Sequence, residues 1–595
     1  MDLFEAFRRN RAERPGEAAF LITSGDRSVP IDWRRFTDDI ALIARIIGKY
    51  APGGVIGIVG ENSYEWIAGH AACLFSGATV VPVDPGLSPD EIARRLRFVG
   101  ASVLLHSSLQ EERAHAVERL MPGLVTGGFG TKKTDRFLDE ARALLAAEGR
   151  TVFDGPAPDR TKTSMIVFTS GTTSEPRGAE LTIAGIEAFC AFATETLEMK
   201  PGDRSLMLLP LHHIFGICTT YMMLARGVSL GVCPDFRRIY EAVARFRVNF
   251  LFLVPALAEI LAAKIERHGR SAEDALDGRL DWILIGGAPL PNRVRDRLEA
   301  LGVGAITGYG LTETTSLYSL APSGGGARPG TAGIVPRASG VETRVSESGE
   351  LLIRGPNVMK GYFKAPEATA RVLSPDGWFR TGDLGRIDAD GFVWITGRAS
   401  RTIILLSGEK VAPEELENRL LDLSGVTEVI VSGDPETREI RADVYAKGDE
   451  GEIRKAVSAL NQTLPVHQRV SRLVFRPEPF PRTASGKIRL PRPLPSASHG
   501  ENANGTASAQ GARLSRGDRR LAVATPALLS FGIVLLWLSH AVPDICLLFG
   551  FEMPVRKAWI CAAMEELGEI LIVIALLMLV ALAKRFFIRW RKPRG

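Results

Sequence analysis

The chain has 595 residues, of which 45% are hydrophobic and 24% charged, and its formal net charge is +5. This length exceeds what one hydrophobic core supports, so several domains are expected, and the composition is that of ordinary globular proteins. The small charge, with basic residues clustered only near the C-terminal end, argues against nucleic acid as a partner. The slightly positive mean hydropathy of +0.06 is a first indication of a membrane portion.

The cysteines and the N-terminus bear on the cellular compartment. No CxxC pair or Cys/His metal spacing is present, which predicts reduced thiols in a cytosolic compartment and no zinc site. The first residues, Met1–Glu5, contain no apolar run after a basic start, so no signal peptide is predicted. The cysteines are Cys73, Cys190, Cys218, Cys233, Cys546 and Cys561.

Residues 1–397 are predicted to form a large N-terminal domain of layered sheets and helices. Apolar strand patterns alternate with helical patterns such as Ser88–Val99 and Asn292–Leu301. This alternation favours an α/β architecture with mostly parallel strands. The predicted strands include Val55–Val59, Thr79–Val83, Ser102–Leu105, Phe250–Val254 and Trp282–Ile285.

Residues 398–492 are predicted to form a smaller α+β domain, with the boundary at Gly397–Ser400. A proline limits each of its two helical patterns, as the first helical residue of one and directly after the last residue of the other. The predicted elements are a helix over Pro413–Leu423, strands over Glu428–Ser432 and Ile440–Ala446, and a helix over Gly451–Leu464.

The remaining residues are predicted to form a linker and a membrane anchor. Residues 493–518 carry too little apolar surface to offset the entropy of ordering, which predicts a disordered linker. Within 519–595, Leu521–Leu538 is apolar and Leu567–Ala583 is interrupted only by Glu569. With their neighbours, the two segments are long enough to cross a bilayer as a transmembrane helical hairpin. A buried soluble hairpin is the alternative. Basic residues before the first segment and after the second place both ends in the cytoplasm.

The stretch Phe168–Gly178 follows a short apolar run, Met165–Val167, typical of a buried strand that ends in a loop. It combines several hydroxyl side chains, two glycines and Arg177. Hydroxyls, open backbone N–H groups and a guanidinium all suit phosphate oxygens. The Walker pattern is absent, because no Gly-Lys-Ser/Thr follows the required gap. Composition alone leaves two possibilities, a phosphate loop or a solvated Ser/Thr/Gly loop.

The order of residues in this stretch resembles the phosphate-binding signature of the adenylate-forming (AMP-binding) superfamily, which includes acyl-CoA synthetases, peptide-synthetase adenylation domains and luciferases. That family usually has Gly where Ser174 stands and Lys where Arg177 stands, and the second difference keeps the charge. The resemblance covers about residues 10–492, with the matching blocks in the expected order. It implies a catalytic role for Arg177 and ATP contacts by Thr169, Ser170, Gly171, Thr172 and Thr173.

Further blocks match around the nucleotide. By resemblance, Leu209–Gly216 places a histidine in a wall between the acid and the phosphates, although a histidine on an apolar run is otherwise more often a core residue. Gly308–Glu313 resembles the block that stacks an aromatic ring on adenine and holds magnesium with a carboxylate. The implied residues are His213 and Thr312 as catalytic groups, Glu313 as magnesium ligand, and Gly287, Ala288, Pro289, Tyr309 and Gly310 as ATP contacts.

The last blocks extend into the smaller domain, which the resemblance makes mobile. Asp383 matches the carboxylate that binds the ribose hydroxyls, and Arg398 gives a second ribose or phosphate contact. Ser400 stands at the hinge, where the family usually has Asp or Lys. Lys487 matches the catalytic lysine, whose charge stabilises the transition state of adenylation. The loop that faces the thiol acceptor contains Gly408 and Lys410.

The resemblance implies an AMP-forming acid–thiol ligase, an acyl-CoA synthetase, that uses ATP, Mg²⁺ and coenzyme A. A carboxylate first attacks the α-phosphorus of ATP to give acyl-AMP and pyrophosphate. The smaller domain then rotates about its hinge and presents the acceptor loop to the thiol. Gly355–Tyr362 and Gly310–Thr314 look most like medium- to long-chain fatty acyl-CoA synthetases, so a fatty acid is the expected substrate and a bilayer an expected partner.

Two alternatives of different class stay open. One is a ligase that stops at acyl-AMP or acylates a separate acyl carrier protein. The other is a non-catalytic membrane scaffold derived from a synthetase. The presence of Glu313, Asp383 and Lys487 argues against the scaffold.

Overall fold

The structure, a computed structural model, describes residues 2–481 and 488, with gaps at 25–26, 130–151, 170–176, 234–235, 270, 277–279, 322–327, 329, 336–339, 408, 435–436 and 438. The chain divides into two compact units, Met1–Leu494 and Pro495–Gly595. The second unit lies wholly outside the described residues, so all described helices and strands belong to the first.

The described strands extend from residue 18 to residue 476. The first twelve are β1 (Ala18–Ser24), β2 (Arg27–Asp32), β3 (Val55–Val59), β4 (Thr79–Val83), β5 (Val103–Ser107), β6 (Val125–Phe129), β7 (Thr163–Thr169), β8 (Arg177–Thr182), β9 (Arg204–Met207), β10 (Ser229–Val232), β11 (Phe250–Leu253) and β12 (Trp282–Ile285). The others are β13 (Gly304–Leu311), β14 (Ser316–Leu320), β15 (Glu342–Val345), β16 (Glu350–Arg354), β17 (Gly361–Tyr362), β18 (Phe379–Ile387), β19 (Val393–Arg398), β20 (Ile403–Ile404), β21 (Lys410–Val411), β22 (Val426–Gly433), β23 (Ile440–Ala446) and β24 (Arg472–Arg476).

The described α-helices cover the sheets. They are α1 (Leu3–Glu13), α2 (Trp33–Tyr50), α3 (Tyr64–Phe75), α4 (Pro89–Val99), α5 (Glu111–Leu120), α6 (Ile183–Thr196), α7 (Ile214–Ala225), α8 (Ile239–Phe246), α9 (Pro255–His268), α10 (Ala272–Leu276), α11 (Asn292–Ala300), α12 (Pro366–Val372), α13 (Pro413–Leu421) and α14 (Glu450–Thr463). Short 3-10 helices lie at Ser108–Gln110, Val152–Asp154, Phe236–Arg238, Thr312–Thr314, Ala399–Arg401 and Val466–Gln468.

A seven-stranded sheet in the order β17-β8-β7-β4-β3-β5-β6 forms the centre of the large domain. β3 to β7 are parallel, whereas β8 is antiparallel to β7 and β17 is antiparallel to β8. The parallel strands are continuous apolar runs because both faces are buried: Ile56 and Ile58 enter one core, whereas Val81 and Leu104 enter another. The prediction of α/β layers with mostly parallel strands is confirmed.

Three smaller sheets complete the large domain. One has the order β2-β1-β10-β9, and another the order β11-β12-β13-β14, in which only β14 is antiparallel to its neighbour. The third, β15-β16-β18-β19, is antiparallel throughout. β12 ends directly before Gly286, β13 leads into the 3-10 helix Thr312–Thr314, and β19 ends at Arg398. Three predicted site regions therefore begin where strands end.

Residues 403–470 have a hydrophobic core of their own. Side chains from β22, β23, α13 and α14, among them Leu416, Leu420, Val444 and Val457, form one buried cluster. β22, β23 and β24 make a three-stranded sheet, and β20 pairs with β21. The predicted elements of this region are confirmed to within about two residues at each end, and the predicted strand Ile440–Ala446 agrees with β23 at both ends.

The predicted membrane segments fall beyond the part of the chain that is described. Within that part, no helix has both the length and the apolar character that crossing a bilayer requires. Leu521–Leu538, Leu567–Ala583 and the predicted linker over 493–518 all lie outside the described residues. The anchor, the linker and their boundaries stay predictions.

Candidate active site

The predicted phosphate loop joins two paired strands. Thr169 is the last residue of β7 and Arg177 the first of β8, and the two are direct partners in the antiparallel ladder. The Thr169 hydroxyl donates to the Arg177 carbonyl oxygen over 3.4 Å. Both ends of the loop are therefore fixed by two paired strands of the central sheet. The other predicted ATP contacts here, Ser170, Gly171, Thr172 and Thr173, lie outside the described residues.

Arg177 and Glu313 both contact one tyrosine, Tyr362. The guanidinium carbon of Arg177 is 5.5 Å from the centroid of the Tyr362 ring, and the Tyr362 hydroxyl donates to Glu313 Oε1 over 2.8 Å. Burial raises the pKa of Tyr362, and the Glu313 carboxylate raises this pKa further, so the hydroxyl stays protonated and donates. Tyr362 was not predicted as a site residue, because its contact with Glu313 joins segments far apart in sequence.

A tight turn carries Glu313 out of β13. The 3-10 helix Thr312–Thr314, which begins at a predicted catalytic residue, follows the strand directly. Thr315 then has a positive φ of 47°, which is a strained conformation for a β-branched residue. Gly310 is required before the turn, because a Cβ atom at this position would lie 1.9 Å from the Ser316 carbonyl oxygen. The backbone therefore restricts where the Glu313 carboxylate can lie.

The predicted adenine and ribose residues form one hydrogen-bonded group. The Tyr309 hydroxyl donates to Asp383 Oδ2, and Arg398 Nε lies 2.6 Å from Asp383 Oδ1. Asp383 and Arg398 are direct cross-strand partners on β18 and β19. Burial and the adjacent Asp383 raise the pKa of Tyr309, which keeps its hydroxyl a donor. Two sheets of the large domain thus contribute to one nucleotide-sized group of residues.

The turn after β12 is open to solvent. Gly287, Ala288 and Pro289, the predicted adenine contacts, are all exposed, and Gly287 has a positive φ of 81° that favours glycine. Gly286 is buried, and a Cβ atom there would come within 3.0 Å of the Phe215 ring. A flat base can approach this backbone because no side chain covers the turn's outer surface.

Asn62 fixes the backbone just before the histidine block. Its side-chain amide donates to the carbonyl oxygens of Leu209, over 2.8 Å, and Met207, over 3.3 Å. Its side-chain oxygen accepts from the Leu211 N–H over 3.0 Å. Asn62 follows β3, so the central sheet positions this block. The sequence analysis did not single out Asn62, although a polar residue just after the carboxyl end of a parallel strand is a signal that could have found it.

The two histidines have different surroundings. His213, the predicted catalytic group, is the residue before α7, and its ring centroid is 4.4 Å from that of His212. His212 is largely buried, with Nε2 at 3.9 Å from Asp84 Oδ1. Burial lowers the pKa of His212, and Asp84 opposes this effect only partly. His212 can therefore supply a neutral imidazole nitrogen to a bound acid.

Next to the predicted hinge lies a partly buried group of ion pairs. Ser400 is exposed on the 3-10 helix Ala399–Arg401. The next side chain, Arg401, lies 3.1 Å from Glu414 and 2.6 Å from Glu417 on α13. The hinge serine is thus followed at once by a residue tied to the core of the smaller domain. The sequence analysis did not identify Arg401.

The catalytic lysine and the acceptor loop are described only in part. Lys410 is exposed and pairs with Ile404 between β20 and β21. Gly408 and Lys487 lie outside the described residues. The roles of all three stay predictions.

A single carboxylate fits the magnesium site that the family implies. Within the described part of the chain, no cluster of three or more His, Cys, Asp or Glu side chains could hold a metal ion. Glu313 uses one oxygen to accept from Tyr362, so its other oxygen can reach a cation. Mg²⁺ in nucleotide sites is commonly held by one or two carboxylates together with phosphate oxygens and water, and this donor set agrees with that pattern.

These features are those of an enzyme that binds a nucleotide through its phosphates and ribose. The chain belongs to the AMP-binding enzyme family, which matches residues 7–363. The long-chain-fatty-acid–CoA ligase FadD13 of Mycobacterium tuberculosis is 28% identical over 454 residues, which span 74% of this chain and 87% of that ligase. The indoleacetate–CoA ligase of Aromatoleum aromaticum is 28% identical over 510 residues, which span 82% of this chain and 97% of that ligase.

Solved structures agree on the fold. The anthranilate CoA ligase AuaEII, in complex with anthranoyl-AMP, superposes with a TM-score of 0.71 and 21% identity over 82% of this chain and 95% of that protein. The predicted fold, with a large N-terminal and a smaller C-terminal domain, is confirmed at that level. The predictions of ATP-dependent acid activation by an AMP-forming acid–CoA ligase, with ATP, Mg²⁺ and coenzyme A, are confirmed by the family and its relatives.

Proposed function

We propose that this acid–CoA ligase acts on medium- to long-chain fatty acids and that its C-terminal segment holds it at a membrane. The observation that carries the site assignment is the convergence of Arg177 and Glu313 on Tyr362, beside the loop over 170–176. The similarity of Gly355–Tyr362 to fatty acyl-CoA synthetases and the relationship to a long-chain-fatty-acid–CoA ligase support the choice of substrate.

In the first half-reaction the acid's carboxylate oxygen attacks the α-phosphorus of ATP, and the bond to the bridging oxygen of pyrophosphate breaks. Asp383 and Arg398 would hold the ribose, and Arg177 the phosphates that leave. Mg²⁺, when bound at Glu313, neutralises phosphate charge. Lys487 would stabilise the charge that develops on the carboxylate and the α-phosphate. In the second half-reaction the thiol sulfur of coenzyme A attacks the acyl carbonyl, and AMP leaves.

An aromatic acid is the second candidate substrate. The relationship to an indoleacetate–CoA ligase favours it, since that relative is matched over 97% of its length. His212 and His213 could also give an aromatic or polar acid a more specific contact than an alkyl chain requires.

Pyrophosphate release, measured over a panel of saturated fatty acids, aryl acetates and cinnamates, tests these assignments. We expect a higher kcat/KM for fatty acids of eight to sixteen carbons, roughly tenfold above the best aryl acid, because each buried methylene adds about 0.8 kcal/mol. A preference for aryl acids would overturn the fatty-acid assignment. Comparing turnover with and without coenzyme A tests the alternative that stops at acyl-AMP, because coenzyme A would then not raise turnover. Replacing coenzyme A by a phosphopantetheinylated carrier protein tests the carrier alternative, and no release with any acid would favour the scaffold.

The membrane attachment rests on the sequence of the second unit. Leu521–Leu538 and Leu567–Ala583 are apolar, and basic residues flank the pair on both outer sides, which favours two spans with both ends cytoplasmic. We expect the full-length chain to float with vesicles. The double variant Leu529→Arg/Ile574→Arg should stay in solution, because a charge at the centre of a span costs roughly 3 kcal/mol. Vesicle binding by that double variant would refute the two-span anchor.

A further inference from the structure

Tyr362 connects two parts of the candidate site that are distant in sequence. β17 pairs antiparallel with β8, with Tyr362 opposite Ala179. Its neighbours extend the pairing. The Lys360 N–H donates to the Glu180 carbonyl oxygen over 2.9 Å, and the Phe363 N–H donates to the Gly178 carbonyl oxygen over 2.8 Å. The tyrosine is therefore held by backbone hydrogen bonds on both sides, next to the strand that begins at the phosphate loop.

The same short segment also holds Glu313. The Met359 N–H donates to the Glu313 carbonyl oxygen over 2.8 Å, and the Tyr362 hydroxyl donates to the Glu313 carboxylate over 2.8 Å. Tyr362 is only 8% exposed, so water competes little for this hydrogen bond. The backbone and the side chain of Glu313 are thus both fixed by one segment.

Tyr362 stands between opposite charges. The Arg177 guanidinium contacts the ring and also lies close enough to the hydroxyl to act on its pKa, whereas the Glu313 carboxylate accepts from the hydroxyl. No ion pair joins the two charged side chains among the described contacts. Both groups contact the same side chain, so without the tyrosine the guanidinium and the carboxylate would attract each other and form a bidentate pair. Such a pair would occupy both groups that the proposed function assigns to the phosphates and their cation.

We propose that Tyr362 is a positioning residue that holds the Glu313 carboxylate towards the divalent cation on ATP while keeping Arg177 apart from it. This inference rests on the proposed function of the site. The hydroxyl orients the carboxylate, whereas the ring separates the two charges, so the two parts of the side chain have different effects. Substitution can therefore separate them.

Tyr362→Phe removes the hydroxyl and keeps the ring. We expect the Mg²⁺ concentration for half-maximal pyrophosphate release to rise roughly tenfold, because one hydrogen bond to a charged group is lost. The KM for the acid should change little. ATP affinity, measured by calorimetry, should fall by a similar factor with Mg²⁺ present and stay unchanged in EDTA. Tyr362→Leu also removes the ring, so ATP affinity should fall under both conditions.

The matched control is Tyr240→Phe, which removes a hydroxyl that donates to the Ala275 carbonyl oxygen. We expect it to leave the Mg²⁺ response unchanged. Glu313→Asp is the second variant: it keeps the charge but shortens the side chain away from Tyr362, and it should reproduce the Mg²⁺ response of Tyr362→Phe. In a Glu313→Gln background, Tyr362→Phe should cause no further loss of Mg²⁺-dependent ATP affinity.

Equal ATP affinity losses for Tyr362→Phe with and without Mg²⁺, or additive losses in the Glu313→Gln background, would overturn the positioning role. A wild-type chain that binds Mg²⁺-ATP but releases no pyrophosphate with any acid would refute the proposed function instead. In that case the calorimetric comparison of Tyr362→Phe with Tyr240→Phe still decides the role of Tyr362.

Discussion

Arg177 stands where the chain leaves the phosphate loop, with its guanidinium over the Tyr362 ring. We expect Arg177→Lys to lower kcat/KM for ATP by less than about tenfold, since the charge remains and only the planar fork is lost. Arg177→Ala should lower it by roughly 100-fold, because a charge-assisted contact to phosphate disappears. Steady-state kinetics at saturating acid measure both values. Normal ATP kinetics in the alanine variant would show that this cation is only a surface charge.

His70 makes the stability of the large domain depend on pH. It is fully buried, its Nδ1 lies 2.8 Å from the Tyr221 hydroxyl, and burial lowers its pKa from 6.5 to about 3. The unfolded chain therefore binds a proton below pH 6.5 that the folded chain does not bind until about pH 3. Stability from this group is complete above pH 6.5 and is lost as the pH falls between these two values.

The double variant His70→Phe/Tyr221→Phe removes this titration together with the hydroxyl that the histidine faces. Between pH 7 and pH 5, wild type should lose about 2 kcal/mol of unfolding free energy more than the variant does. Thermal unfolding followed by circular dichroism at both pH values measures the difference. Parallel pH dependence in the two proteins would contradict the assignment of this proton to His70.

On the scale of single elements, Arg401, the residue after the predicted hinge, forms ion pairs with α13. Arg401 pairs with Glu414 and Glu417, and all three side chains are at most 20% exposed. Arg401→Ala should destabilise the smaller domain by about 3 kcal/mol, because two carboxylates lose their partner in a largely buried place. The control is Arg419→Ala, which removes an exposed pair with Glu415 and should cost less than about 0.5 kcal/mol. Hydrogen exchange of the β22 amides reports this difference without unfolding the large domain.

The sequence predicted best those strands whose bounds follow from their own residues. β3, β4 and β12 are continuous apolar runs, and their bounds agree with the prediction because burial on both faces leaves one interpretation. The predicted strand Ser102–Leu105 is instead Val103–Ser107, because His106 and Ser107 lie buried at its end and interrupt the apolar pattern.

Site residues that belong to a recognisable motif could be predicted from the sequence. Site residues that act through contacts between distant segments could not. Tyr309, Asp383 and Arg398 come together as the motifs implied. Tyr362 acts through a hydrogen-bond partner 49 residues away, and Asn62 through partners 145 to 149 residues away. A single sequence does not encode which of these distant groups will meet. The loop residues 170–173 and Lys487 lie outside the described residues, so their roles remain predictions.

For the whole molecule, the predicted rotation of the smaller domain would decide which half-reaction can proceed. The smaller domain contacts α11, where the Asn292 amide donates to Asp422 over 3.1 Å and Arg293 donates to the Val426 carbonyl oxygen over 3.4 Å. These two contacts are polar, as interfaces between domains that move relative to each other usually are. Ser400, the predicted hinge residue, is exposed.

The proposed rotation of the smaller domain predicts that Lys487 matters in only one of the two half-reactions. If its charge is needed only while acyl-AMP forms, Lys487→Ala should lower adenylation by at least about 100-fold, the loss of a charge that stabilises the transition state. Thioester formation from supplied acyl-AMP should stay within about threefold of wild type, since the lysine has then moved away. Separate assays of the two half-reactions measure this. Equal losses in both would contradict domain rotation.

The pairing of β17 with β8 also has a consequence for synthesis of the chain. β8 leaves the ribosome about 180 residues before Gly361–Tyr362, which form its outer neighbour. At about 5–20 residues per second, the strand next to the phosphate loop waits roughly 10–40 s with an unpaired edge. Such an edge is a template for pairing with another nascent chain. Products that end before residue 361 should therefore aggregate, and chaperone binding should be strongest while residues 183–360 are being made.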